Sequence, residues 1–451
     1  MHPPLTLDQL REEVATDAID TVVVAMPDMQ GRLVGKRLDA NYFLNDAIDS
    51  GVGACAYLIT RDIDMQIVDG FDIAGWADGL SDFELAPDLS TLRRLPWMPG
   101  TALVIADACW IGGGAVTQSP REILRGQLAR LAERGWQALV ATELEFLLFD
   151  QSYEQAHAAN YHDLRLSTHH SIDYAISATA KAEPLMRQIR RQMRHAGLQV
   201  EAIKGEVHNG QFELGFKYAD ALSTCDNHVV YKEGAKEIAI GHDVSITFMA
   251  KYDEGAGNSC HVHLSLIDEN GHPVFPGSGG KGFSATFEHF LAGQLAAARD
   301  LSLAVAPNIN SYKRFQDGTF APTVISWGRD NRTCALRVLG EGRALRLENR
   351  TPGGDVNPYL AVAAVIAAGL HGVENELELP PAAHGNAYAS DAMRMPTTLR
   401  EAAQLWENSA IAAKAFGAEV VHHYANAAHQ QVRAHDAAVT DWDRARGFER
   451  T

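Results

Sequence analysis

Three short segments set charged side chains two residues apart inside apolar, β-type sequence. They are Glu143-Leu144-Glu145, His261-Val262-His263, and Arg346-Leu347-Glu348-Asn349-Arg350. On a strand, residues i and i+2 share a face, so each segment aims a pair or trio of polar groups from one wall. Carboxylates and imidazoles bind metal ions, and arginines bind anions. Three such walls that converge would make a site for a metal-bound phosphate and an acidic substrate. Taken singly, each has a plainer explanation. An isolated stripe can face solvent, His261 can be a satisfied core histidine, and Arg346, Glu348 and Arg350 can form a surface salt-bridge ladder of little energetic value. Matched chemistry across all three favours a site. Glu143 and Glu145 repel each other and are costly to bury together unless cations compensate them. Glu206 and Glu213, on either side of an Asn209-Gly210 turn, offer two more carboxylates. An oxygen-rich donor set of this kind suits Mg²⁺ or Mn²⁺ better than Zn²⁺.

These residues need strands to hold them. The stretch IDTVVVAMPDMQGRLVGKRL predicts a hairpin that turns at Asp28 to Gly31, and GTALVIADACW predicts a further strand. The Gly-rich IGGGAVTQ marks a boundary. Beyond it Ser119 has the character of an N-cap, with Pro120 at the first helical position. Leu124, Leu128 and Leu131 carry the helix to a stop at Gly135. HVHLSLIDENGHPVF predicts a strand, an Asn270-Gly271 turn and a second strand, followed by a loop in GHPVFPGSGGKG. The expected organisation is a small β-rich domain over about residues 15–110 and a large one over 115–451. No internal repeat and no Walker or Rossmann glycine motif is present, so a nucleotide would have to be held in some other way.

Composition narrows the partners. A formal net charge of −18 over 451 residues disfavours nucleic acid and anionic membranes. The five cysteines are odd in number and contain no CxxC pair, which argues against a disulfide framework and for a reducing compartment. The N-terminal stretch lacks an apolar core of the secretory type, and the apolar run YLAVAAVIAAGL is too short to span a bilayer and predicts a buried helix. A cytoplasmic protein is expected.

The chain resembles the glutamine synthetase superfamily over essentially its whole length. The motifs ATELEF, KGEVHNGQFE, TFMAKY, SCHVHLSL, NSYKRF, NRTCALRV and RLENRTPGGDVNPYL occur in the family's order. The resemblance implies an α+β fold. A small β-grasp-like N-terminal domain would precede a catalytic α/β domain whose curved antiparallel sheet forms an open barrel, assembled as a dodecamer of two hexameric rings. It implies that Glu145, Glu206 and Glu213 hold one Mg²⁺ or Mn²⁺, and that Glu143, His261 and Glu348 hold a second that grips the phosphates of ATP. Glu201, His263, Ser265 and Arg343 look like nucleotide contacts. Arg332, Arg337 and Arg346 look like phosphate ligands, with Arg332 and Arg337 acting in catalysis. Arg314, Arg350 and Gly257 look like the glutamate subsite. The implied reaction activates the γ-carboxylate of L-glutamate as γ-glutamyl phosphate, from which an amine displaces phosphate.

Two departures bear on the amine. Family members that use ammonia carry a glutamate in the loop after SYKR, where this chain has Phe320, and an Asp-Gly-Ser-Ser motif that is missing here. Ala256-Gly257 also replaces an Asn-Gly pair. A small hydrated cation wants anionic partners, so an aromatic residue at 320 suggests a larger, partly apolar amine. Asp317 and Asp64 are the candidate replacement acids. The chain looks most like actinobacterial-type enzymes that γ-glutamylate ethanolamine or polyamines. An authentic glutamine synthetase is the alternative, ahead of a phosphotransferase or a non-catalytic relative on the same scaffold. Tyr388 falls roughly where some relatives carry a modified tyrosine, but without the surrounding family sequence, and is read as unmodified.

Overall fold

A computed structural model describes residues 5–451. The expected hairpin forms from β1 (Thr21–Pro27) and β2 (Leu33–Asp39). Asp28 closes its turn: Oδ1 accepts from the backbone of Gln30 and Arg32 at 2.9 Å each, and Oδ2 pairs with Arg32 Nε at 2.8 Å. With β3 (Val52–Cys55), β4 (Asp82–Pro87), β5 (Arg93–Arg94) and β6 (Thr101–Trp110) the hairpin builds a six-stranded sheet in the order β2-β1-β6-β4-β3, with β5 beside β6. The β1–β6 pair is parallel, and the others are antiparallel. Val22, Val24, Phe83 and Val104 alternate into its core.

A second, nine-stranded sheet follows: β7 (Trp136–Phe149), β8 (Val200–Gly205), β9 (Gln211–Phe216), β10 (Ala219–Asp220), β11 (Ser245–Thr247), β12 (Cys260–Asp268), β13 (Trp327–Arg329), β14 (Leu336–Leu339) and β15 (Arg346–Asn349). Its order is β13-β14-β15-β12-β7-β9-β8, with β10 and β11 along β7. It curls into a nearly closed barrel. All pairs are antiparallel except β13–β14. One expected strand does not form. After the Gly271 turn, Val274 N–H reaches Leu266 O at 2.9 Å and Ile267 bridges Pro273, but pairing stops there. Pro273 and Pro276 have no N–H to donate to a ladder.

The apolar run becomes the helix Pro358–Glu374, buried almost throughout. It packs on the helix Ala285–Ala297 at glycine contacts: a Cβ on Gly372 would lie 2.0 Å from His289 O. The helix Pro120–Ala132 starts after Ser119 as expected, though the serine hydroxyl makes no capping bond. Its first turn carries Arg121, which is 1% exposed and ties the first sheet to a helix of the second layer. Its guanidinium reaches Asp226 at 3.0 and 2.9 Å, Asp107 at 2.6 Å and Asp88 at 2.8 Å. Asp88 and Asp107 belong to the first sheet and its edge, and Asp226 to the helix Ala221–Ile240. All five cysteines are free. Among the described residues no helix is long and apolar enough to cross a membrane.

Candidate active site

The three charged segments are neighbours in one sheet. They lie on β7, β12 and β15, with β9 and β14 outside them. Their register places Glu213 opposite Glu145, His261 opposite Glu143, His263 opposite Glu348, and Arg337 opposite Glu348. Because alternate residues share a face, this register lines up a row of carboxylates, imidazoles and arginine across five strands. Glu206 follows β8 and is fixed by its N–H to Gln211 O at 2.9 Å. The row, His263 apart, forms the floor of a cavity of about 500 Å³, whose lining also includes Lys204, Gln211, Gly257, Ser259, Phe320, Arg332 and Arg350.

Three sets of side chains bring ligand atoms within 4.8 Å of one another: Glu145, Glu206 and Glu213; Glu143, Glu213 and His261; and Glu143, His263 and Glu348. The grouping implied by resemblance, Glu143 with His261 and Glu348, also meets. His261 Nδ1 is 3.2 Å from Glu143 Oε2 and 3.5 Å from Glu348 Oε1. The structure adds His263, whose Nε2 lies 2.9 Å from Glu143 Oε1 without hydrogen-bond alignment. His261 Nε2 is likewise buried without a hydrogen-bond partner.

The electrostatics are lopsided. Burial and nearby Glu206 push the Glu145 carboxyl up to about 7, although its Oε2 accepts from Ser259 N–H at 2.6 Å and Gln211 Nε2 at 3.2 Å. Burial and the charges of Glu143 and Glu145 push Glu213 up to about 9. Burial also raises Glu206, against the opposing pull of Lys204, whose ammonium contacts it. On the other side of the row, burial is outweighed: the hydrogen bond with His261 and the adjacent His263 imidazole hold Glu143 far below the usual carboxylate range. Glu348 also stays low against burial, through His261 and Arg350, and it pairs with Arg337 at 3.0 Å and Arg350 at 2.5 Å. Burial lowers His261, favouring the neutral imidazole that ligates metal. Three clustered carboxylates that resist ionisation and two imidazole nitrogens without hydrogen bonds fit divalent cations as the missing positive charge.

The remaining sequence-derived residues are placed as follows. Arg337, Arg350, Arg332 and Gly257 reach the cavity. A Cβ on Gly257 would lie 2.3 Å from Ala250 O, so only glycine fits there. Arg314 is buried beneath the cavity and donates to the Thr351 carbonyl and, at 3.4 Å, to Ser259 Oγ. Burial lowers it to about 10. His263, Ser265 and Arg346 continue the row along β12 and β15 away from the cavity, with Arg346 Nε donating to His263 Nδ1 at 3.3 Å. Arg343 is exposed in the turn Gly342–Ala344. Glu201 is exposed at a β-bulge between Val200 and Ala202, outside the cavity. Of the two candidate acids, Asp317 is held by Thr323 at 2.5 Å and Arg394 at 3.2 Å, and Asp64 lines a separate apolar cavity. Phe320 is 50% exposed with φ +60°, and the Tyr388 hydroxyl is buried. Sequence reasoning missed Lys204, Gln211 and Ser259. Lys204 and Gln211 each stand two residues from a named glutamate, and the same alternation that found the glutamates points to them.

A family model described as the glutamine synthetase catalytic domain matches residues 117–446, and the chain belongs to that family. Within it, the chain is 56% identical to gamma-glutamylethanolamide synthetase GlnA4 of Streptomyces coelicolor, over 99% of this chain and 96% of that one. It is 37% identical to glutamate–isopropylamine ligase of a Pseudomonas species, over 97% of each. The solved structure of apo GmaS without ligand superposes with a TM-score of 0.85 at 28% identity, covering 98% of this chain and 99% of the other.

Proposed function

We propose that this chain is an ATP-dependent ligase joining the γ-carboxylate of L-glutamate to a small primary amine, ethanolamine before a polyamine, by way of γ-glutamyl phosphate. The names of two of its relatives, a gamma-glutamylethanolamide synthetase and a glutamate–isopropylamine ligase, support glutamate–amine ligation. The observation that carries the choice of amine is the cavity: metal-capable carboxylates and arginines share it with Phe320, an apolar ring at the place where ammonia users carry an acid. Glu145, Glu206 and Glu213 would hold one Mg²⁺ or Mn²⁺. Glu143, His261 and Glu348, with His263 beside them, would hold the second. When bound, such ions neutralise the phosphoryl oxygens of ATP and the substrate carboxylate. Arg332 and Arg337 stabilise charge on the transferring phosphoryl group. Arg350 and Gly257 position glutamate, and Arg314 supports Arg350 by donating to the backbone beside it. His263, Ser265, Arg346, Glu201 and Arg343 extend towards the nucleotide. We further propose a cytoplasmic dodecamer of two hexameric rings, with the division at residues 15–110 and 115–451. Phosphate release from ATP with glutamate, Mg²⁺ and a panel of amines tests the function. Ethanolamine should give the highest kcat/KM, and a preference for ammonia at equal concentration would make the protein a glutamine synthetase.

A further inference from the structure

Binding an alkylammonium group needs an anion in the cavity that no other cation neutralises. Glu143, Glu145, Glu206, Glu213 and Glu348 each belong to a metal-capable group, and Glu348 is also paired to two arginines. Divalent ions would cancel their charge, the Lys204 ammonium already contacts Glu206, and Arg332, Arg337 and Arg350 would repel an ammonium group. One other carboxylate lines the cavity, that of Asp173. It is exposed, has no side-chain hydrogen bond or ion pair among the described residues, and lies close enough to Glu206 to raise that carboxyl. Its segment is irregular but anchored: Ser171 bridges Asn209, and Tyr174 N–H donates to Gly205 O at 3.3 Å. Tyr174 has φ +54°, a costly backbone for an aromatic residue. The Lys204 ammonium, which contacts Glu206, lies 4.7 Å from the Tyr174 ring centre and holds this part of the segment in place.

We propose that Asp173 is the carboxylate that holds the ammonium group of the incoming amine. This rests on the ligase function above. It also accounts for the absence of the two acids that ammonia users carry: the anion is supplied from the 171–174 segment instead. The test compares the full-length enzyme with Asp173→Asn, using ethanolamine and hydroxylamine as acceptors. Ethanolamine is a cation near neutral pH, whereas hydroxylamine is largely uncharged and needs no counter-ion. The variant should raise KM for ethanolamine roughly tenfold or more, as expected for a lost charge-assisted bond, with kcat little changed. KM for hydroxylamine and for glutamate should move less than about threefold, and Asp173→Glu should restore most of the ethanolamine affinity. An unchanged ethanolamine KM, or equal losses with both acceptors, overturns the assignment, the second outcome pointing to an effect through Glu206. A wild-type enzyme that forms no amide with any amine overturns the ligase function itself and is distinguished by that control.

Discussion

Binding of Mg²⁺ should release protons, and the amount follows from the acidic cluster. Carboxylates lifted to about 7 at Glu145 and about 9 at Glu213 hold protons at neutral pH that a divalent ion must displace. At about pH 7, Glu145 is about half protonated and Glu213 almost wholly so, giving about 1.5 protons released. The number should fall as pH rises through these values. Titration calorimetry in buffers of different ionisation enthalpy reads this number directly as the slope of the observed heat. Glu213→Gln should remove about one proton from it at about pH 8. The same cluster sets a stability slope. Both groups have folded values above the ordinary 4.5, so in EDTA their stabilising protonation is complete below that value. It is lost as pH rises through about 7 and then about 9. The melting temperature in EDTA should therefore fall across this window and flatten when Mg²⁺ is added. A binding heat independent of the buffer would refute the argument, because it would mean the carboxylates are already ionised without the metal.

Four further outcomes are expected. Glu145→Ala should abolish amine-dependent phosphate release, and residual turnover in that variant or in EDTA would exclude the two-metal assignment. Arg350→Ala should raise the KM for glutamate roughly 10- to 100-fold, the loss of one charge-assisted contact; calorimetry with a non-hydrolysable ATP analogue should show nearly unchanged nucleotide affinity. Phe320→Glu should improve kcat/KM for ammonia relative to ethanolamine, and an unchanged ratio would remove residue 320 from the amine site. Arg121→Met leaves the buried Asp226 without its ion-pair partner, Asp88 and Asp107 keeping Arg125, and should cost about 3–5 kcal/mol by chemical denaturation, as for breaking a buried ion pair.

Much of the site was legible because β alternation is strict. Two-residue spacing marked Glu143 and Glu145, His261 and His263, and Glu348 between arginines as polar groups on shared faces. What spacing does not encode is which strands become neighbours, and so the alignment of His263 with Glu348 came only with the fold. Arg314 shows a second limit. Its type signals anion binding, but burial and the Thr351 carbonyl decide where its guanidinium points. Asp173 and Tyr174 sit in backbone without any period, so no pattern distinguishes them from ordinary loop residues. The missing strand after Gly271 was misread because alternation was weighed without the prolines that interrupt its hydrogen bonds.

The stepped row of ligands across β14, β15, β12, β7 and β9 has a consequence for how this protein can diverge. A point substitution on the row alters one ligand and leaves its neighbours in place. A one-residue insertion in any of the five strands would rotate the rest of that strand by half a repeat and turn its ligands into the apolar layer behind. Length changes are therefore confined to the connecting segments. Two of these, around Asp173 and around Phe320, border the cavity. New acceptor amines can thus be tried by lengthening or shortening loops while the phosphate-handling face keeps its register.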